Sequence, residues 1–487
     1  VCRGDRATRH DTGIILGNGL ACHLPSSPTP MTIAVSDPLY PPTVRGPPRP
    51  LPLWRFIPTF LRNPLRALPQ SVFEQPIVAF STDRPGIVWV TDPELIERIL
   101  LQEHEDFPKT PLERRVLGPA LGDGILTAEG QSWRWQRRIA APLFRHQELL
   151  RLVPGMYTAA DAECSRWRGM PPGTVVPVER HMTDVTYDVV TRTLFAGAAS
   201  TEGEEIKAAS SGLLDVITWE IAAAMLKLPE WIWHPGKTRM QSNSAHMRAV
   251  VASIVARQRR DGSGDGGLIG RMLAARDPDT GAPMTDDQIV DNLLTFLLAG
   301  HETTAKALTW TLYLLARAPD WQRRVRDEIM AVAGSGAIGA VHLDRLETTT
   351  RVLKESLRLY PPAPVMTRLA GRDSQLGGIQ VAAGTLVVLP IFAVHRHRRL
   401  WQDPDRFDPD RFLPEAEARH ARTQFMPFGF GPRTCIGMSF AMIEATILLA
   451  TFVRAARFEW DGRHLPEPVS RITLRPKGGM PLAVTAL

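Results

Sequence analysis

A mostly helical fold with small β regions, an α+β arrangement, is what this sequence predicts. Three observations carry it. Residues 285–317 form one long, nearly apolar stretch headed by Thr285-x-x-Gln288, a capping pattern that starts a helix buried on most sides. Residues 153–284 read as mainly helical, broken by a glycine-rich connector at 261–267. The β signals are short by comparison, a β-branched pair of runs within 76–90 and single runs at 363–369, 385–390 and 473–487. With 487 residues, 44% of them hydrophobic, the chain can bury a large core. It is expected to be a single domain over 31–487, opening with a proline-rich, extended strap at 31–75. Residues 1–30, which begin on Val1 and stop just before Met31, are expected to be a non-native or disordered extension.

In chain order, 76–90 reads as a hairpin, and Thr91-Asp92-Pro93 caps a helix that runs to Leu100. Residues 107–124, with Lys109 and several prolines and glycines, are expected to be loop-rich. A helix opens at Glu129 and runs towards Phe144; on it Trp133 and Arg137, four apart, share a face. In the middle of 285–317 lies Ala299-Gly300-His301-Glu302-Thr303-Thr304, a polar notch that is costly inside a buried helix. His301-Glu302 lacks the second histidine of a zinc protease, because Ala305 stands there. Glu355 and Arg358 share a face of a short helix that ends at Pro361. The runs at 385–390 and 473–487 are expected to complete one small β region.

Charge and cysteines narrow the function. The net charge is +6 without any Lys/Arg-rich run, so a nucleic-acid partner is not expected. Cys2, Cys22, Cys164 and Cys435 fit neither a zinc site nor a disulfide framework, which suits a reduced, cytoplasmic enzyme. No run of about eighteen apolar residues occurs; the strongest apolar stretches carry Glu302 or Glu444. A membrane span is therefore not expected. Cys435 stands in Phe428-Gly-Phe-Gly-Pro-Arg433-Thr-Cys-Ile-Gly437, immediately before a helical stretch. A helix N-terminus favours a thiolate, and a lone thiolate suits one axial position on an iron better than a four-ligand zinc cage.

The pattern Phe428-Gly429-x-Gly431-x-Arg433-x-Cys435-x-Gly437 resembles the haem-binding loop of the cytochrome P-450 family. Three further motifs follow the family's order: the Trp133–Arg137 helix, the Ala299–Thr304 notch, and Glu355-x-x-Arg358 with Arg411 in Phe407-Asp-Pro-Asp-Arg-Phe412. The resemblance covers residues from about 76 to the C-terminus. It implies a triangular helical domain around a buried haem b, with Cys435 as iron ligand and Phe428 packed near the thiolate. It implies propionate contacts from Trp133, Arg137, Arg368, Arg433 and Lys109, and close approach of the cofactor at Gly437, Ala299 and Gly300. Proton delivery falls to Glu302 and Thr303, and substrate contact to Phe296, Ala299, Ala363 and Val365. Glu355, Arg358 and Arg411 are structural. Asp410 stands where many members have glutamate, and the microsomal anchor is not seen, which suggests a soluble, bacterial-type member. The implied activity is insertion of one oxygen atom of O2 into an apolar molecule, with a lean towards fatty-acid hydroxylases. No flavin or nicotinamide module fits in this length. NAD(P)H electrons are then expected to come indirectly, through a ferredoxin or flavodoxin drawn to a basic face containing Arg134 and Arg138. The alternatives are a peroxide-driven or isomerase-type haem-thiolate enzyme, and a non-catalytic haem sensor or carrier.

Overall fold

The computed structural model describes residues 37–79, 85–195, 202–261, 267–277 and 280–487. The expected extension at 1–30, the tip of the expected hairpin and most of the 261–267 connector lie outside them. The N-terminal strap is not simply extended. It contains α1 (Leu53–Arg62), whose Phe56 is buried and stacks on Phe60 at 5.7 Å, followed by 3-10 turns at Pro64–Ala67 and Gln70–Phe73. An apolar side chain gained by the core outweighs the proline-rich composition. The hairpin forms as β1 (Ile77–Ala79) against β2 (Ile87–Val90). Asp92 caps α2 (Pro93–Glu97) through the Glu94 and Leu95 amides, but the helix passes into a π turn, Arg98–Gln102, instead of staying α-helical to Leu100. The region expected to be loop-rich holds α3 (Pro111–Leu121), because Pro111 sits at the first helical turn, where a missing N–H costs nothing.

Helices then dominate: α4 (Gly130–Ala140), α5 (His146–Arg168), α6 (Val178–Thr193, after β3, Thr174–Pro177), α7 (Gly203–Met225), α8 (Lys237–Asp261), α9 (Leu268–Ala274), α10 (Asp286–Arg317), α11 (Pro319–Ala333) and α12 (Glu347–Leu359). Four short strands follow, β4 (Met366–Leu369), β5 (Ser374–Leu376), β6 (Ile379–Val381) and β7 (Leu386–Leu389), then the one-turn helices α13 (Ile391–Val394) and α14 (Pro414–Glu417). The cysteine loop leads into α15 (Met438–Ala455), and β8 (Ala456–Glu459), β9 (Pro468–Ser470), β10 (Leu474–Pro476) and β11 (Pro481–Ala486) close the chain. The two runs expected to share a β region are separated. β7 joins a sheet of order β1-β2-β7-β4, whereas β11 lies between β3 and β8 and β10 pairs with β9. A short apolar run does not reveal its partner.

The compact unit spans Pro38–Leu487. α10 is its spine: Thr285 and Gln288 close the capping box, and most residues from Ile289 to Leu315 are buried. α10 packs chiefly on α6, and α15 packs on α5, α11 and α10. α15 is long and apolar enough to cross a membrane, yet two-thirds of it is buried in this core, as expected of a central helix.

Candidate active site

The cysteine loop is held by its own backbone. The Cys435 amide donates to the Phe428 carbonyl at 2.9 Å, and Gly429 donates to Met426 at 3.0 Å. Gly431 has φ +75°, and a Cβ there would lie 2.0 Å from the Leu100 carbonyl oxygen, so the loop is seated on the π turn at a distance that only glycine permits. Gly437 stands at the N-cap of α15. The Cys435 side chain is accessible, but it opens into a recess among protein atoms. Burial there pushes the thiol up; the Gly437 amide and Arg137 oppose this without reversing it. The helix N-terminus thus pulls towards the thiolate, as its position in the sequence implies, but burial outweighs it. A coordinated cation would make the thiolate. Among the described residues no group of three or more His, Cys, Asp or Glu could hold a metal ion.

Beside the loop lies a cluster of cations. Arg433 donates to the Ala128 carbonyl and the Glu129 carboxylate, both at 2.8 Å, and its guanidinium stands 3.9 Å from the Trp133 ring centre. Arg137 lies over the same ring at 5.8 Å. Arg368 is buried and donates to the Thr367 carbonyl. Lys109 reaches the Leu126 carbonyl and stands 3.5 Å from Glu113. Burial lowers the pKa of Lys109, Arg137, Arg368 and Arg433, and Arg433 and Arg368 press further on Lys109. Four cations (Lys109, Arg137, Arg368, Arg433) share two carboxylates, Glu113 and Glu129, which leaves two positive charges over. The two propionates of a haem match that excess, and Arg and Trp N–H groups suit carboxylates.

The α10 notch has two faces. Ala299 is exposed, and Thr303 donates to its carbonyl at 2.7 Å. Gly300 faces the other way: a Cβ there would meet Val190 of α6 at 3.0 Å, so the small residue serves the α6–α10 crossing. Thr186 donates to the His301 carbonyl at 2.9 Å. His301 is buried, edge-on to Tyr187. Glu302 points into an ion cluster, accepting from Arg475 at 2.8 Å and Thr473 at 3.1 Å with Lys306 at 3.5 Å. Burial would raise its pKa, but Lys306 and Arg475 hold it at about 2. Phe296 stacks on Phe144 at 5.7 Å, and Phe144 lies 3.8 Å from the Cβ position of Gly437. That ring ties the cysteine loop to α10. Ahead of β4, Ala363 is exposed and Val365 half-buried.

Beneath the loop, Arg358 and Glu355 are fully buried and paired through two contacts of 2.7 and 2.8 Å. Arg411 approaches Glu355 at 3.6 Å. Sequence reading missed the link onwards. Arg358 donates to the His395 carbonyl at 2.8 Å, and the His395 ring accepts from the Met426 amide at 2.9 Å. A chain of bonds thus runs from Arg358 through His395 and Met426 to Gly429 in the cysteine loop. Nothing in the local pattern around His395 signals this, because its partner lies 31 residues on.

A buried helical spine, the Cys435 loop and a cluster with positive charge to spare fit the haem-thiolate arrangement that the resemblance implies. The family model described as Cytochrome P450 matches residues 46–482, and this chain belongs to that family. It is similar to the cytokinin hydroxylase of Arabidopsis thaliana, 33% identical over 82% of this chain and 78% of that protein. It is also similar to the 11-oxo-beta-amyrin 30-oxidase of Glycyrrhiza uralensis, 32% identical over 84% and 80%. The crystal structure of the cytochrome P450DA heme domain superposes with a TM-score of 0.78 at 26% identity, covering 92% of this chain and 98% of that one. The protein is a monooxygenase with haem as its cofactor, NAD(P)H electrons reaching it through a redox partner.

Proposed function

We propose that the enzyme hydroxylates an apolar organic molecule, with electrons from a separate ferredoxin or flavodoxin. The single observation that carries the site is the Cys435 thiol near Arg137, which belongs to a cluster of four cations with two carboxylates among the described residues. The haem, when bound, supplies the oxygen-activating chemistry. Cys435 would ligate its iron, with Phe428 alongside, and Lys109, Arg137, Arg368, Arg433 and Trp133 would hold its propionates. Phe296, Ala299, Ala363 and Val365 give the substrate an apolar wall that orients it and keeps water out. Thr303 holds a hydroxyl proton at the exposed face of α10, bonded to Ala299 while it waits. Glu302, ionised in its cation cluster, can accept and pass on a proton only when Arg475 and Lys306 release it.

A reduced carbon monoxide difference spectrum tests the site. The wild type should show the strongly red-shifted Soret band of thiolate ligation, and Cys435→Ser should lose it; a band typical of nitrogen ligation in the wild type would overturn the assignment. For the substrate, the apolar residues that the resemblance assigns to contact, Phe296, Ala299, Ala363 and Val365, support a lipophilic molecule of the fatty-acid kind. The relatives named for cytokinin and 11-oxo-beta-amyrin support a broader lipophilic class. A panel of fatty acids, a cytokinin and a triterpenoid, scored by displacement of the iron-bound water in the visible spectrum, decides between them. For the donor, Arg134 and Arg138 are exposed and four apart on α4. Reversing both charges should slow reduction by an acidic ferredoxin at low salt; an unchanged rate would remove this face from the reading.

A further inference from the structure

The N-terminal half of α10 carries three buried polar side chains that the reading above leaves without a task. Asp291, Asn292 and Thr295 share one face of the helix, and each is less than a tenth exposed. They meet residues 122–129, the segment between α3 and α4, which forms neither helix nor strand. Gly124, Ile125, Thr127 and Ala128 in that segment are buried, so its backbone groups must find partners inside the protein. α10 supplies two. The Asp123 amide donates to the Asp291 carboxylate at 2.8 Å, and the Ile125 amide to the Asn292 side-chain oxygen at 3.0 Å. Asn292 is oriented for this by its own NH2 group, which donates to the Gln288 carbonyl at 2.8 Å. Arg248 of α8 holds Asp291 at 2.7 Å. The approach is close: a Cβ on Gly124 would stand 2.5 Å from the Thr295 hydroxyl and 2.6 Å from the Asp291 carbonyl oxygen. The next residues of the segment serve the cation cluster. The Leu126 carbonyl accepts from Lys109, and the Ala128 carbonyl and Glu129 carboxylate accept from Arg433, both at 2.8 Å. Gln136 and Ser132 of α4 donate to the Asp123 carbonyl and carboxylate at 2.8 and 3.0 Å, on the helix that carries Trp133 and Arg137.

We propose that Asn292 and Asp291 are positioning residues for the cofactor's carboxylates. They register residues 122–129 on α10, so that the Leu126 and Ala128 carbonyls and Glu129 keep Lys109 and Arg433 in place. Neither residue touches the cofactor; each acts through one backbone amide of the segment. Long cationic side chains lose much rotamer freedom when ordered. Acceptors fixed beforehand impose that loss before the cofactor arrives, which leaves the cluster preorganised for two carboxylates. The effect runs from α10 through the segment to the two cations, and it predicts that Asn292 matters to the cofactor only while Lys109 and Arg433 are present. The proposal rests on the propionate role given to those two residues above.

The experiment is a double-mutant cycle on the haem-loaded protein, read by the rate of haem transfer to apomyoglobin. Asn292→Leu keeps the volume and strips the acceptor from the Ile125 amide. It should speed haem loss about fivefold, the effect of one lost hydrogen bond. In a Lys109→Met/Arg433→Met background the same change should alter the rate less than about twofold, because its route to the cofactor is gone. Thr295→Val removes a hydroxyl that donates to the Asp291 carbonyl of its own helix; it should leave the rate within about twofold of its parent in both backgrounds. Hydrogen exchange on the same samples should show the Ile125 amide losing protection in Asn292→Leu while the amides of α15 keep theirs. An unchanged rate in Asn292→Leu overturns the proposal. So does an equal acceleration in both backgrounds, which would mark a general loosening of the fold. If Asn292→Leu fails to load haem, Gly124→Ala decides by the same outcomes, since its methyl group pushes the segment off α10 without altering a polar side chain. A Lys109→Met/Arg433→Met protein that keeps haem like wild type sinks the propionate reading and this proposal together. A pair that matters beside an inert Asn292→Leu sinks this proposal alone.

Discussion

Replacing Arg358 by methionine should be among the most damaging single changes available in this chain. All five guanidinium bonds are made inside the protein: two to Glu355 at 2.7 and 2.8 Å, one each to the His395 and Pro404 carbonyls at 2.8 and 2.7 Å, and one to the Arg406 carbonyl at 3.0 Å. Methionine fills much of the volume but leaves three carbonyls unmatched. It also leaves a buried carboxylate whose remaining partners are the Asp408 amide at 2.8 Å and Arg411 at 3.6 Å. Breaking a buried pair by removing one partner costs about 3–5 kcal/mol, a large part of the ~5–15 kcal/mol that holds a domain folded. Chemical unfolding of the haem-loaded protein measures the loss, and the carbon monoxide difference spectrum reads whether the cysteine loop survives. Adding Glu355→Met to Arg358→Met should recover part of the loss, since the stranded charge is gone; a double-mutant cycle isolates that coupling. A single variant within about 1 kcal/mol of wild type, with haem loading intact, would refute the idea that this pair supports the loop through His395 and Met426.

Three further outcomes are expected. Gly431→Ala must relieve a 2.0 Å contact with Leu100 at a positive φ, so it should cost about 2 kcal/mol or more and shift or abolish the thiolate Soret band; an unperturbed spectrum would count against the seating on the π turn. Glu302 has a folded pKa of about 2, below the ordinary carboxylate value, so its contribution to stability is present above pH ~4.5 and is lost as pH falls through about 2. That amounts to about 3 kcal/mol, and Glu302→Gln should flatten the acid limb of an unfolding titration between those limits. Replacing Lys109 and Arg433 together by methionine should weaken haem retention about 10-fold or more, measured by transfer to apomyoglobin, while a wild-type rate would show that the cluster does not hold propionates.

The strong signals in the sequence were those with their cause nearby in the chain. The helix at 286–317 was legible because its cap, its apolar run and its polar notch all lie within it. The Trp133–Arg137 face, the Glu355–Arg358 pair and the cysteine loop were legible for the same reason. What failed depends on distant partners. α3 was hidden by its prolines and glycines, and β7 and β11 could not be assigned to different sheets from their composition. The orientation of Gly300 towards Val190 and of Glu302 towards Arg475 follows from how α6 and β10 meet α10, which no local pattern encodes. His395 was missed because it acts through one backbone carbonyl and one ring nitrogen, each bonded to a remote segment.

The cation cluster gives the chain two halves with different dependence on its cofactor. Glu355, Arg358 and Arg411 find their main partners within the polypeptide, so this support of the cysteine loop needs no charge from outside. Lys109, Arg137, Arg368 and Arg433 sit with an uncancelled like-charge repulsion until two carboxylates arrive from outside. The junction of α3, α4 and β4 is therefore the part of the fold whose charge balance would be completed by the cofactor's own carboxylates. A ligand that binds only the folded protein stabilises it, so haem should protect that junction from an added protease more than it protects the segment around Glu355 and Arg358.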